Sequence, residues 1–400
     1  MFEDTPTAPA DPIFGLTAAF RRDENPAKIN LGAGVFRNES GQTPILAAIK
    51  EAERRLWQEE SSKTYLPIEG NQQYARHVRQ LMLGDQHPLI DDPRLFTIHT
   101  PGGTGALRLA TDFLRHVPPA ERTVWVPDPT WVNHTQICEA AGLAVRPYPY
   151  LDPSRRRLDF AAMLAALATA APRDVVVLHG CCHNPSGIDL SPDEWCQLAS
   201  QLESQSLLPL VDFAYLGFGQ GLEADRAGVL ALVERVSAAM ICTSFSKNFA
   251  LYNERVGALT VMAPTPESAT AVMSQVKHCA RVSYSNPPAH GAALVTTILE
   301  SDEMQRQWRQ ELDAMRQRIV DMRTLFVRGL DERGVSLSPE GNAFLTEQHG
   351  MFSFLGLSPE QVERLRAEFS IYIVGSSRVN FASMTPASMD YLCDAVAQVL

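Results

Sequence analysis

From about residue 120 to residue 245 the chain alternates short apolar runs with stretches of helical periodicity, and this alternation restricts the possible fold more than any other feature. The runs are Val124-Trp125-Val126, Val175-Val176-Val177-Leu178, Leu207-Leu208-Pro209-Leu210-Val211 and Ala239-Met240-Ile241-Cys242. Runs this short and uniformly apolar suit strands buried on both faces. Strands that alternate with helices are joined by crossovers, so the sheet is mostly parallel and covered by helices on both sides. The expected class is α/β, with a mostly parallel, doubly covered mixed sheet.

The flanking segments carry their own signals. Ser191-Pro192-Asp193-Glu194 sets a serine cap, a proline at the first helical position and a glutamate three residues after the cap, and Ser358-Pro359-Glu360-Gln361 repeats the arrangement. From Ser301 to about Arg333, Met304, Trp308, Leu312, Met315, Ile319, Met322 and Phe326 recur at spacings of three and four. That spacing predicts one helix of up to roughly 50 Å, closed by Gly334 and joining two domains. Beyond it, Ile371–Val374 and Arg378–Phe381 read as hairpin-like strands, followed by a helix from Pro386, which makes a separate α+β layer. The first dozen residues, with Pro6, Pro9 and Pro12, read as an extended arm.

Charge and cysteine usage exclude whole classes of function. Thirty-five Lys and Arg against 46 Asp and Glu leave a net charge of −11, so the chain has no overall electrostatic reason to hold a nucleic acid backbone. The seven cysteines are odd in number and scattered, as expected of reduced thiols in a cytoplasmic protein. Cys181 and Cys182 are adjacent and precede His183, but no second pair stands at a zinc spacing, and no metal is expected. The N-terminal MFEDTPTAPADP lacks the regions of a signal peptide, and the longest nearly apolar run, Phe160 to Ala171, is too short to span a bilayer.

Ligands of open α/β sheets bind at the carboxyl ends of the strands, so the residues that follow each run are the place to look for chemistry. Asn184, Asp212, Tyr215 and Lys247 all emerge there. Only five of the 35 cationic residues are lysines, and Lys247 follows an apolar strand and precedes Phe249-Ala250-Leu251. A single lysine in a turn is ordinarily a surface residue; in an apolar setting its amine is desolvated, its pKa falls, and it suits Schiff-base formation with a carbonyl. Asp212 alone would be a cap or a turn residue. Beside such a lysine, a strand-end carboxylate can pair with the protonated pyridine nitrogen of pyridoxal phosphate, with Tyr215 and Asn184 as donors to the cofactor's phenolic oxygen. The Gly102-Gly103-Thr104-Gly105 turn entering a helix offers backbone N–H groups to a phosphate, although it matches neither the P-loop nor the dinucleotide fingerprint. Arg255 is available to an anion, and Trp131 is placed either to stack on a ring or to pack in the core.

The segments PGGTGALR, HGCCHNPSG, DFAYLGFGQGLE, SFSKNFALYNERVG, YSNPPAHGA and SSRVNFASM, in this order along the chain, together resemble the aspartate and aromatic amino acid aminotransferases of the class I, fold-type-I pyridoxal phosphate family, and the similarity runs from about Asp11 to the C-terminus. The resemblance implies an arm over 1–12, a small domain of 13–43 and 315–400, and a large cofactor-binding domain of 44–314. It implies a cytoplasmic homodimer with shared active sites that moves an amino group between an amino acid, aspartate or aromatic, and a 2-oxo acid such as 2-oxoglutarate. The alternative on the same fold is a specialised biosynthetic transaminase or another reaction such as a β-lyase or decarboxylase. Lys247 resembles the Schiff-base lysine that also moves the proton, and Asp212 the pyridinium partner, with Asn184 and Tyr215 at the phenolic oxygen. Gly103, Thr104, Ser244 and Arg255 match the phosphate cup, and Tyr65 matches the tyrosine that reaches it from the neighbouring subunit. Trp131 resembles the stacking aromatic, with His134 behind it. Arg378 matches the clamp on the substrate α-carboxylate, assisted by Gly34, and Arg281 the partner arginine that binds a side-chain carboxylate. Ala33, Leu216, Ser283 and Ser377 depart from the aspartate-specific pattern, and the smaller Ala33 leaves room for a bulkier side chain.

Overall fold

The computed structural model describes residues 1–7, 12–119, 121–152, 154 and 156–400, without the side chains of Pro12 and Phe14. Residues 8–11 of the expected arm lie outside the described residues. Eleven strands occur among the described residues: β1 (Ile29–Asn30), β2 (Leu95–Pro101), β3 (Thr123–Asp128), β4 (Ala144–Pro149), β5 (Val175–His179), β6 (Leu208–Phe213), β7 (Ala239–Ser244), β8 (Val256–Met262), β9 (Phe352–Phe354), β10 (Ile371–Tyr372) and β11 (Arg378–Asn380). The chain divides into two compact units, one of residues 44–317 and one of residues 1–43 with 318–400.

The larger unit is built on a seven-stranded sheet in the order β2-β8-β7-β6-β5-β3-β4. Strands β3 to β7 run parallel, and β8 is antiparallel to both β7 and β2. After β3 the chain moves outward to β4, and after β5 it moves the other way to β6. The loops leaving β3 and β5 therefore diverge and open a crevice at the carboxyl edge, where this class of sheet binds ligands. On one face, the helices Gly102–His116 and Pro266–Ser283 bury Leu107, Ala110, Leu114, Val276 and Ala280 against Ile98, Val124, Val177, Leu210 and Leu259 of the sheet.

Three strands have no apolar-run signature. β2 and β8 carry Thr97, His99, Thr100, Gly257 and Thr260, and the edge strand β4 is largely exposed. Gly257 is required by contact: a Cβ there would lie 2.5 Å from the backbone carbon of Gly102 and 2.7 Å from the Thr243 carbonyl oxygen. Gly102 and Gly103, expected as a turn, are the first residues of the helix itself.

The smaller unit joins the two ends of the chain. β1 pairs parallel with β10, Ile29 opposite Ile371, and β9 pairs antiparallel with β11, Phe354 opposite Arg378. The expected hairpin of 371–374 with 378–381 is thus corrected: the two segments belong to different two-stranded sheets. The chain turns at Ser377, whose φ is +67, and β10 gives its outer groups to the N-terminal segment, accepting Leu31 N–H at the Tyr372 carbonyl. Periodicity marks a strand and does not name its partner. Buried Arg323 donates to the carbonyls of Leu345, Gly350 and Phe352 and to Ser353 Oγ, which fixes β9 and the turn before it. The long helix runs Asp302–Glu332, 31 residues, with the residues through 317 in the larger unit and those from 318 in the smaller. No described helix is long and apolar enough to cross a membrane.

Candidate active site

The carboxyl ends of β6 and β7 place the reactive groups. Asp212 lies within β6, in register with His179 of β5, and Lys247 follows β7 by three residues. Lys247 is half-buried, and its amine lies over the Tyr215 ring with Nζ 4.6 Å from the ring centre. Burial lowers its pKa and the Arg255 charge adds to this, while Asp212 opposes both. The outcome is an amine readier to be neutral than an ordinary lysine.

Asp212 is buried as well. Burial acts to raise its pKa, but the hydrogen bond and charge of His134, helped by His179 and Lys247, outweigh it and hold the carboxyl below its ordinary range. The Asp212 Oδ2 to His134 Nε2 distance is 3.0 Å, and a carboxylate only accepts, so His134 carries a proton on Nε2. His134 Nδ1 meets the Thr130 hydroxyl at 2.8 Å, and that hydroxyl meets His179 Nε2 at 3.2 Å. A chain of hydrogen bonds thus runs behind the carboxylate from β5 to the loop after β3. Trp131 stands edge-on to His134, with ring centres 5.3 Å apart. Asn184 is buried in the loop after β5. The backbone N–H groups of Cys182 and His183, which precede it, donate to Asp189 at 2.7 and 2.8 Å.

The helix Gly102–His116 begins without a side-chain cap. Its first residues approach other groups closely: a Cβ on Gly102 would lie 2.7 Å from Arg255 Nη2, and one on Gly103 would lie 3.0 Å from Ser244 Cβ. Arg255 Nη1 donates to the Tyr252 carbonyl at 3.0 Å and reaches Ser246 Oγ at 3.4 Å. Bare N–H groups at a helix start, two serines and a guanidinium form a cradle suited to a phosphate. A phosphorylated pyridine aldehyde needs this cradle, an amine for its carbonyl and an anion for its ring nitrogen, and the residues present fit that group.

The remaining candidates sit elsewhere. Tyr65 is 90% exposed, and Arg281 is exposed in the last turn of the helix Pro266–Ser283; the loop after that helix meets the Tyr65 segment where the Asn286 side chain donates to the Leu66 carbonyl at 3.2 Å. Arg281 itself donates to Ser285 Oγ. In the smaller unit, buried Arg378 donates to the Gly32 carbonyl at 2.7 Å and lies 4.3 Å over the Phe352 ring. The same ring would be 3.1 Å from a Cβ on Gly34, so Gly34, Phe352 and Arg378 form one cluster. Sequence reasoning assigned no role to Thr130, His179 and Ser246; serine, threonine and histidine at strand ends are too common to stand out, and their partners show only in the fold, where Thr130 meets His134 and His179, His179 lies opposite Asp212 in register, and Ser246 meets Arg255.

The chain matches the family described as "Aminotransferase class I and II" over residues 26–396. It is 50% identical over the whole length of both chains to an aspartate aminotransferase of Salmonella typhi. It is 44% identical to an aromatic-amino-acid aminotransferase of Pseudomonas aeruginosa, over all of this chain and 98% of that one. Among solved structures, an aromatic-amino-acid aminotransferase from Burkholderia pseudomallei, covalently bound to pyridoxal phosphate, superposes with a TM-score of 0.96 at 42% identity, covering all of this chain and 99% of the other.

Proposed function

This chain belongs to the class I and II aminotransferases, and on that premise we propose how its residues divide the work of moving an amino group from an amino acid to a 2-oxo acid. It is a pyridoxal-phosphate-dependent transaminase of the aspartate and aromatic amino acid group. Pyridoxal phosphate, when bound, supplies an electron-withdrawing ring that takes up the electron pair left as the substrate Cα–H bond breaks.

Lys247 would hold the cofactor at its carbonyl carbon. With the substrate's amine in its place, the freed Lys247 amine would take the proton from the substrate α-carbon and later return it on the other side of the exchange. The burial that lowers its pKa suits it to that task. Asp212 stays ionised through His134 and keeps the ring nitrogen protonated. Tyr215 and Asn184 would donate to the phenolic oxygen, and Trp131 would lie against the ring. Gly103, Thr104, Ser244, Ser246 and Arg255 hold the phosphate. Arg378, with Gly34, binds the substrate α-carboxylate by a planar two-point contact that a lysine would not reproduce.

Tyr65 and Arg281 are both exposed, as suits residues donated to a second copy of the chain. The enzyme is a homodimer in this reading, located in the cytoplasm, and each site borrows both residues from its partner. The larger unit comprises residues 44–317, and the smaller one 1–43 with 318–400.

The observation that carries this reading is the half-buried amine of Lys247 set over the Tyr215 ring, its pKa lowered by desolvation. The test is to add single amino acids to the pyridoxal form and follow conversion to the pyridoxamine form, with Lys247→Ala as control. Stoichiometric transfer to 2-oxoglutarate is expected, and Lys247→Ala should lose both the visible band of the lysine-bound cofactor and at least about 10³-fold in turnover. Release of ammonia without an acceptor, or full activity in Lys247→Ala, overturns it.

A further inference from the structure

The backbone that follows Tyr215 is held from three sides, and one buried carboxylate supplies most of the restraint. Asp225, 6% exposed in the short helix Leu222–Asp225, accepts Gly217 N–H at 2.8 Å and Gly219 N–H at 2.9 Å on Oδ2, and Gln220 N–H at 2.7 Å on Oδ1. From another side, the Cys182 thiol reaches the Tyr215 carbonyl at 3.9 Å, and from a third the Asn248 side chain donates to the Leu216 carbonyl at 3.2 Å. Asn248 directly follows Lys247, and its own carbonyl accepts the buried Trp308 indole N–H at 2.8 Å.

Ligand atoms of Cys181, Cys182 and Asp225 lie within 4.8 Å of one another, a grouping that invites a metal reading. The chemistry opposes it. Both oxygens of Asp225 already accept backbone N–H groups, and burial, with Cys182 and the two carboxylates nearby, keeps the Cys181 thiol protonated. A metal would need that thiol ionised and that carboxylate released. What remains is a carboxylate committed to three amides of a single turn, buried although burial raises its pKa against the pull of those amides. A buried carboxylate that accepts three amides of one turn ties those amides to a single point, so the position of the turn is what this contact specifies.

We propose that Asp225 is a positioning residue for Tyr215: by clamping the Gly217, Gly219 and Gln220 amides it fixes the phenol at the distance from Lys247 that the reaction uses. The proposal rests on the assignment of Tyr215 to the cofactor's phenolic oxygen. Asp225 does not reach the reacting atoms; it acts through the backbone that Tyr215 begins.

The test compares Asp225→Asn, Tyr215→Phe and the double variant in the holoenzyme, and adds amide hydrogen exchange on the cofactor-free protein. Asn retains the size but turns an NH2 group toward at least one of the amides. Expected for Asp225→Asn are a kcat loss of roughly 10- to 100-fold with KM within about threefold, and exchange at Gly217, Gly219 and Gln220 faster by at least about tenfold. The pH midpoint of the visible band should move in the same direction as in Tyr215→Phe, and adding Asp225→Asn to Tyr215→Phe should cost less than about threefold more, because the two changes remove one contribution. Full multiplication of the two losses, or an unmoved band midpoint in Asp225→Asn beside a shifted one in Tyr215→Phe, overturns the proposal alone. An unmoved band and unchanged turnover in Tyr215→Phe overturn it together with the Tyr215 assignment. Should Asp225→Asn fail to fold, Gly219→Ala carries the same comparison, since its Cβ would lie 2.4 Å from Asp225 Oδ1 and displace the carboxylate with its charge intact.

Discussion

A charged side chain on the surface of one chain gains a function only when something arrives opposite it, and Arg281 is the residue where that matters most. Its guanidinium is exposed and steadied by Ser285 four residues on. If it reads the second carboxylate of a substrate in a neighbouring subunit, then Arg281→Leu removes a two-point ionic contact worth several kcal/mol. The expected result is a loss of about 10²- to 10³-fold in kcat/KM for aspartate and glutamate, with phenylalanine and tyrosine changed by less than about tenfold. Steady-state kinetics on the four amino acids decide it; equal losses would show that Arg281 does not make this distinction. The residues beside Lys247 were legible for a related reason. In a chain with five lysines, an amine after an apolar strand carries information, whereas in a chain with thirty arginines no single guanidinium does. Arg281 and Arg378 were singled out by the words around them, whereas His179, although it opens HGCCHNPSG, and Thr130 gained a role only from what they touch.

Elements were readable where their ends were marked. Both serine capping boxes form, at Ser191 and Ser358, and the long apolar stripe is a single helix over Asp302–Glu332. The strands β2 and β8 escaped because what they need is closeness, not apolarity. The start of the 102–116 helix lies against β8 at Gly257, and a methyl group there has no space against two backbones, neither of which can rotate away as a side chain does. Gly257→Ala is therefore expected to destabilise the cofactor-free protein by about 2 kcal/mol and, by moving the helix start, to weaken pyridoxal phosphate binding by at least about tenfold. Urea unfolding and a cofactor titration check the two effects, and a wild-type midpoint with wild-type affinity would show that the helix start is not held there. The misread hairpin teaches the converse lesson. Ile371–Val374 has the pattern of a strand, but its neighbour comes from residues 29–31, and no local pattern reports a partner that distant.

At the scale of the whole molecule, acid stability follows from histidines that the fold keeps neutral. Burial lowers His99 and His183 to about 3 and takes His179 well below its usual value. Their folded pKa values are depressed, so the unfolded chain takes up protons first. The stability they confer is complete above the unfolded value of about 6.5 and is lost as pH falls from there toward about 3. Each should cost about 2 kcal/mol between pH 7.5 and pH 5, and His99→Leu should remove about a third of the combined change. Urea midpoints at the two pH values test this, and equal midpoints would show that the three rings do not stay neutral. The pairing of the chain's two ends also sets an order of manufacture. The contact between Arg378 and Gly32 spans 346 residues, so at roughly 5–20 residues per second the N-terminal segment waits on the order of 20 to 70 s at the ribosome before its partner is made. Residues 44–317, which hold the whole seven-stranded sheet, are synthesised within that interval. The segment that emerges first is among the last to find its place, and a truncated product would carry it as an unpaired strand edge open to chaperones and proteases.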